Sequence, residues 1–395
     1  MSEAVVSSPV AFALAYRRVL AMTAALFLSY LSVAMSLPAV SAHVVSQLGY
    51  GNGLAGLAVG IAFLSTILTR HRAGALADRR GGKYAMNGGL IVYLLAAVIC
   101  AASSLPGLPV AASYGVLMFG RLVLGLGESL ALVGMLGWSI ATLGPANAGK
   151  AMALMGMGMY GAFAAGGPIG LTLYAQGGMS GLMLVCAVLP LAGLAIIRGL
   201  PAVVPPAGHR ESLWQIFGRI AKPGAAVGLQ GVGFAGLGAF FALYFAHQGW
   251  GHGELGLTGF GIGFVAVRIL CGHLPDRIGG TPVAIGALIV EAIGQAFIWL
   301  SPTPGGALIG ALLSGMGCSM VFPAMGVEVV KRVPPHLRGT ALGGFAAFQD
   351  LAYGVTGPIA GLVADRAGYG SVFAIGTCAA VLGVAMAVWA HRSKA

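Results

Sequence analysis

Three features of this 395-residue sequence predict an all-α integral membrane protein with twelve transmembrane helices in two pseudo-symmetric six-helix bundles around a central cavity. Charged residues make up only 8% of the chain, against roughly 25% in soluble proteins, while hydrophobic residues make up 58% and the mean hydropathy is +0.92. Twelve apolar runs follow one another with short punctuation between them. The second six runs repeat motifs of the first six.

The composition sets the solvent before any element is placed. A water-soluble core of this size could not hide so much apolar surface, so the surrounding medium is lipid. A spanning helix needs about 20 mostly apolar residues, so twelve spans take roughly 240 and leave no room for a soluble catalytic domain. The 66 glycines read as helix-packing residues, because small side chains let helices approach closely in lipid. The net charge of +11 comes from Lys and Arg in short loops between apolar runs, which excludes nucleic acid as a partner. Cys100, Cys186, Cys271, Cys318 and Cys378 lie inside apolar runs without metal-ligand or disulfide spacing.

The runs fall in order at 19–41, 52–73, 84–105, 111–139, 149–176, 179–198, 223–247, 254–275, 282–301, 304–330, 339–363 and 370–390. Arg17 and Arg18 precede the first, whose length exceeds a signal-peptide core, so the possible cleavage site at Val40-Ser41-Ala42 is expected to stay intact. The second closes on Arg70 and Arg72, the third opens after Lys83, and the fourth lies between Pro109 and Pro145. Gly177-Gly178 divides the fifth from the sixth. Pro223 opens the seventh, Pro275 closes the eighth, Pro282 and Pro302 bound the ninth, and Pro304 opens the tenth. The eleventh ends ahead of Asp365-Arg366 and the twelfth ahead of Arg392. The expected organisation is a cytoplasmic N-terminus (1–18), a six-helix bundle (19–198), a cytoplasmic linker (199–222), a second bundle (223–390) and a cytoplasmic C-terminus (391–395). All 21 Lys and Arg except Arg121 and Arg366 fall on one side of this arrangement, which places both termini inside.

The halves share motifs. The sequence Arg70-x3-Gly74-Ala75-Leu76-Ala77-Asp78-Arg79-Arg80-Gly81-Gly82 recurs 198 positions later as Arg268-x3-Gly272-His273-Leu274-Pro275-Asp276-Arg277-Ile278-Gly279-Gly280. Gly149 and Gly167-Pro168-Ile169 recur 190 positions later as Gly339 and Gly357-Pro358-Ile359. Parallel six-helix repeats of this kind belong to secondary transporters.

With these motifs in hand, the chain resembles the major facilitator superfamily over its full length. Gly74-x-Leu76-Ala77-Asp78-Arg79-x-Gly81-Gly82-Lys83 is similar to the family's loop signature, with Gly82 replacing a basic residue. Arg121-Leu-Val-Leu-Gly125-Leu-Gly127 resembles the fourth-helix motif associated with proton coupling. Gly167-Pro168 matches only the core of the fifth-helix antiporter motif. The stretches GHLPDRIGG, VFPAMGVEVVKRVP and DLAYGVTGPIAGLV look most like a bacterial branch of drug or sugar exporters, the YhhS-like group. The resemblance implies a secondary active transporter of the bacterial inner membrane that moves a small amphiphilic molecule by proton-coupled efflux. A proton symporter or uniporter for import is the alternative, and a non-transporting sensor or polytopic enzyme is remote. No cofactor beyond the proton gradient is implied, no GxxxxGK[ST] loop is present, and the protein is expected to be monomeric.

Candidate residues follow from charge and position. Gly74 and Gly81, like Gly272 and Gly279, allow tight turns, and Asp78 and Asp276 are expected to meet helix N-termini near Gly339 and after Pro145. With Arg79, Lys83 and Arg277 these form the expected gating set. Gly167, Pro168, Gly357 and Pro358 are expected at helix packing positions. Each charge at the membrane centre costs about 2.5–3.5 kcal/mol, so Arg121, Glu128, Glu291 and Asp350 must be paired, protonated or wet. Arg121 and Glu128 are seven apart and share a helix face. Moving a carboxyl group between a dry environment and the field of an arginine changes its proton affinity. Asp350 is the leading proton site, Glu128 the second and Arg121 the modulating charge. Glu291 is expected in a structural hydrogen bond, and Glu328 in a pair near Lys331 and Arg332. Resemblance further implies that Tyr30, Arg121, Tyr160, Gln230, Phe234, Phe241, Gln349 and Tyr353 line the substrate cavity. The Met152, Met155, Met157, Met159 run reads as adaptable packing, and no metal site is expected.

Overall fold

The computed structural model describes residues 9–144, 147–203, 213–334 and 338–392, with side chains described from residue 10 and outside 213–216 and 338–340. Twelve helices are found there: α1 (Pro9–Ser46), α2 (Asn52–Arg80), α3 (Gly82–Ala102), α4 (Val110–Leu143), α5 (Ala148–Ile197), α6 (Leu213–His247), α7 (Leu255–Cys271), α8 (Leu274–Ile278), α9 (Gly280–Leu300), α10 (Pro304–Arg332), α11 (Arg338–Ala367) and α12 (Gly370–Arg392). Nine of these helices are long and apolar enough to cross a membrane by length and composition. The count of spans nevertheless differs from the count of helices in two places. The fifth and sixth apolar runs are both contained in α5, whose 50 residues are interrupted by Gly178 at φ 61°, ψ −164°. The five-residue α8 is no span; it is the second copy of the loop motif, coiled into a single turn.

Cα packing divides the chain into two compact units. The first comprises residues 1–36 and 65–207, the second 37–64 and 208–395. The end of α1 and the first half of α2 therefore belong with the second unit, although the sequence repeat places them in the first half. The linker expected at 199–222 begins at the irregular residues 201–203 and overlaps α6 from Leu213 onward.

Small residues explain the packing inside each unit. In the first, Gly120, Gly127 and Gly134 of α4 recur every seven residues and face Cys100, Tyr93 and Met86 of α3, while Gly82 and Gly89 of α3 face Trp138 and Ala131. A Cβ at Gly82, Gly89 or Gly134 would overlap the opposing backbone, one at Gly120 would overlap Cys100 Sγ, and one at Gly127 would press on the Gly89 and Tyr93 backbone at 3.1 Å. In the second unit, Gly310 and Gly317 of α10 face Ile298 and Glu291 of α9, while Gly280 and Gly294 of α9 face Ala324 and Ser314. The same lines of small residues, displaced by 190 and 198 positions, thus build the same helix pair twice. Lipid supplies no hydrophobic drive between helices, so close approach and dispersion contacts hold them together.

The tandem glycine-proline pairs part company structurally. In the first unit Gly166 and Gly170, flanking Gly167-Pro168 in α5, press on Ala34 and Met35 of α1. In the second unit Gly357-Pro358 of α11 presses on Gly56 of α2.

Candidate functional site

In the first unit a buried polar cluster joins α1, α2 and α4. Glu128 is 4% exposed, and its Oε1 accepts a hydrogen bond from the Tyr30 hydroxyl at 2.5 Å. Its Oε2 accepts from the Thr66 hydroxyl at 3.2 Å, and the same hydroxyl lies 3.1 Å from the Gly125 carbonyl. Two turns earlier on α4, Arg121 is 1% exposed and donates from Nη1 to Ser36 Oγ at 3.2 Å. Cys100, Glu128, Tyr93 and Cys186 are its electrostatic neighbours. The chemistry is specific: a hydroxyl can donate to a carboxylate or accept from a carboxylic acid, so Tyr30 and Thr66 can satisfy Glu128 in either protonation state.

The second unit carries the repeat-related cluster. Gln230 of α6 is fully buried, donates to Cys318 Sγ at 2.7 Å, and accepts from Gln349 Nε2 of α11 at 3.1 Å. Cys318 stands 190 positions after Glu128, so each unit links the first span of its half to the corresponding turn of the fourth through a polar pair. Only the first unit has an acid in that position. Asp350, next to Gln349, is 9% exposed. Phe234 sits between Phe260 and Tyr353, with ring centroids 5.1 and 5.0 Å away, and Tyr353 meets Phe63 of α2 edge-on at 5.1 Å. Val59, Phe63, Phe234, Gly238, Tyr353 and Gly357 enclose a small apolar cavity.

The remaining candidates are distributed as follows. Tyr160, 8% exposed, packs against Phe163 with centroids 5.9 Å apart in α5. Phe241 stacks on Phe245 at 4.6 Å and meets Phe373 and Gly256, two turns from Phe234. Glu291, 1% exposed, lies against Gly233 and Gly317, so those glycines make room for it and for Gln295 on the same face of α9. Glu328 pairs with Lys331 at 3.8 Å.

In the loop motif Gly81 and Gly279 take φ values of 89° and 94°, which only glycine adopts without strain. Gly74, Asp78 and Arg79 occupy the last turns of α2, whereas Gly272 precedes α8 and Asp276 and Arg277 lie within it. The partner expected for Asp78 near Gly339 falls among residues whose side chains are not described, and that expected for Asp276 begins at Pro145, outside the described residues. Lys83 has a well-defined partner set: its Nζ donates to the Arg198 carbonyl at 3.0 Å and the Leu200 carbonyl at 2.6 Å, and it lies 5.8 Å above the Trp138 ring. Trp138 Nε1 in turn donates to the Pro201 carbonyl at 3.1 Å.

Thr66, Ser36 and Phe63 were not singled out by sequence reasoning. Thr66 and Ser36 are isolated small polar residues in apolar runs, a weak signal that gains meaning only once Glu128 and Arg121 are known to face them.

A model of the Major Facilitator Superfamily matches residues 22–251 and 224–395. An uncharacterised MFS-type transporter of Salmonella typhimurium is 44% identical over 366 residues, covering 92% of this chain and 94% of that protein. Another from Pseudomonas aeruginosa is 36% identical over 372 residues, covering 93% and 91%. Among solved structures, the nucleoside transporter NupG aligns with a TM-score of 0.73 at 14% identity, over 94% of this chain and 99% of that one. A bacterial homologue of the human lysosomal transporter Spinster aligns with a TM-score of 0.72 at 14% identity, over 95% and 96%. At such identities the likeness is one of fold.

Proposed function

The chain belongs to the Major Facilitator Superfamily and is a multi-pass secondary transporter rather than an enzyme, and from this premise we propose that it couples proton entry to export of a small amphiphilic molecule. The hydrogen bonding of Glu128 is the observation that carries the reading. A buried carboxylate held by two reversible hydroxyl partners, with Arg121 on the same helix, can take up and release a proton without leaving a polar group unsatisfied. The hydroxyl partners on both of its oxygens support Glu128 as the leading proton site in this reading, ahead of Asp350, which the sequence ranks first. In this cycle Glu128 binds a proton from the outer side and releases it inside while the substrate travels the opposite way. Phe63, Phe234 and Tyr353 offer ring faces, and Gln230 and Gln349 offer amides, which suits an uncharged or weakly polar organic body. The Lys and Arg distribution supports an orientation with both termini inside, and the bacterial transporters the chain resembles support residence in the bacterial inner membrane.

Untargeted mass spectrometry of energised everted vesicles tests the proposal. Compounds accumulated by wild type should be lost with an uncoupler and in Glu128→Gln. Accumulation that survives both changes would remove proton coupling through Glu128, and uptake only into right-side-out vesicles would replace export with import.

A further inference from the structure

The loop motif occurs a third time. Gly74-x-x-Ala77-Asp78-Arg79-x-Gly81 and Gly272-x-x-Pro275-Asp276-Arg277-x-Gly279 are joined by Gly361-x-x-Ala364-Asp365-Arg366-x-Gly368 at the end of α11. All three close a helix on a glycine in the left-handed region, with Gly368 at φ 79°. The amide of Gly368 donates to the Ala364 carbonyl at 2.9 Å, as that of Gly81 does to Ala77 at 2.9 Å. The third copy lies at the end of the eleventh span opposite to the side on which the first two copies are expected.

Its aspartate has a complete set of partners within the second unit. Asp365 Oδ1 accepts from the Asn52 amide at 3.0 Å and from Asn52 Nδ2 at 2.7 Å, and Oδ2 accepts from the Gly53 amide at 3.2 Å. The carboxylate thus caps the first turn of α2, where free N–H groups and the helix dipole favour an anion. Tyr369 donates to Asn52 Oδ1 at 2.9 Å, and the His247 ring lies 5.5 Å from the Tyr369 ring. Beneath this cap α2 and α11 touch without intervening side chains: Cβ atoms at Gly56, Gly60 and Gly361 would overlap the backbones of Gly357, Gly354 and Asn52.

We propose that Asp365 and Asn52 form a latch holding the outer ends of α2 and α11 together, closing the outward path over the cavity lined by Val59, Phe63 and Tyr353. This rests on the orientation and the coupled export cycle proposed above, read as alternating exposure of the site to the two sides. The α2 helix carries one copy of the motif at its C-terminal end and receives the aspartate of another at its N-terminal end. The sequence expectation for Asp78, the α11 N-terminus, is the reciprocal arrangement. One motif therefore serves both faces, and release of Asp365 is the step that lets segment 52–64 leave α11 so that the site opens outward.

The test needs no substrate. Val59 is 4% exposed and lines the cavity under the latch. In a chain with the five native cysteines replaced, Val59→Cys is reacted with a membrane-impermeant maleimide applied to right-side-out and, separately, to everted vesicles. Losing two or three hydrogen bonds to a charged acceptor should raise outside labelling at least about tenfold in Asp365→Ala. Asp365→Glu should restore much of the protection, and Asn52→Ala, with its α2 amides retained, should give an intermediate rate. Unchanged outside labelling in folded Asp365→Ala and Asn52→Ala would overturn the latch. Faster labelling from the inner side alone would overturn its outer placement, and failure of proton coupling alone would leave the labelling result standing.

Discussion

Replacing Lys83 by methionine keeps the aliphatic stem and removes the ammonium, so it isolates what the loop motif's last residue does. In the structure that ammonium binds two carbonyls at the end of α5, those of Arg198 and Leu200, and lies over Trp138. The site is partly exposed, so each hydrogen bond is credited with about 1 kcal/mol rather than the larger value for a buried charged donor. The cation–π contact adds roughly 0.5 kcal/mol and the helix C-terminus a similar amount. A total of about 2–3 kcal/mol corresponds to a fall in Tm of roughly 5 °C for a unit of this size. The assay is thermal unfolding of purified protein in detergent, repeated in Trp138→Phe and in the double variant. A coupling energy of about 0.5–1 kcal/mol between the two positions is expected, together with partial rescue by Lys83→Arg. If Lys83→Met melts within 1 °C of wild type, or if the two substitutions are strictly additive, the ammonium does not hold the start of the linker and the reasoning fails.

Three further outcomes follow from the same geometry. Burial favours the neutral form of Asp365, but the hydrogen bonds from Asn52 and Gly53 and the neighbouring Arg366 outweigh it and hold its carboxyl below the ordinary value of 3.8. Its stabilising contribution is therefore present above that value and lost as pH falls through the lower folded value, so the ratio of outside labelling of Val59→Cys with Asp365→Ala to that with Asp365 intact, each pair compared at one pH so that the thiol's own titration cancels, should stay constant from pH 8 to about 5 and fall toward one only below about 4. Gly134→Leu would force a branched side chain into the α3 backbone at Met86 and should abolish accumulation of folded protein, whereas the same substitution at Gly137, which has open space around it, should be tolerated; size-exclusion profiles decide this. Phe63→Ala removes the ring that meets Tyr353 and should cost about 3 kcal/mol by thermal melting, against less than about 0.5 kcal/mol for Phe119→Ala on an exposed face.

Much of the fold is readable from the chain because lipid imposes a simple rule: every span must be long, apolar and internally hydrogen-bonded. The exceptions are local. Gly178, with non-helical φ and ψ, separates the two helical stretches run together in α5, as the fifth and sixth runs require, whereas Leu274–Ile278 coils within what reads as the end of the eighth run. From the residues themselves the site was legible at its charged members, while Tyr30, Gln230, Phe234, Gln349 and Tyr353 entered as cavity residues only through the family resemblance. Arg121 and Glu128 announce themselves by cost, but Tyr30 lies 98 residues from Glu128, and Thr66 is one hydroxyl among many in apolar runs. Asp365 was legible in principle as the third copy of the loop motif, although its partner Asn52, 313 positions away, was not.

Sequence alone determined the membrane environment, the number of spans, the twofold repeat and the family, because hydropathy and motif spacing are properties of consecutive residues. Tertiary structure decided which polar groups meet. It placed Glu128 between two hydroxyls, gave the equivalent position to Cys318 and Gln230, and seated Asp365 on the first turn of α2. These pairings depend on how closely small residues let two helices approach and on the rotation of each helix about its axis. Lines of glycine permit that approach, and only the packed chain reveals which side chains then face one another.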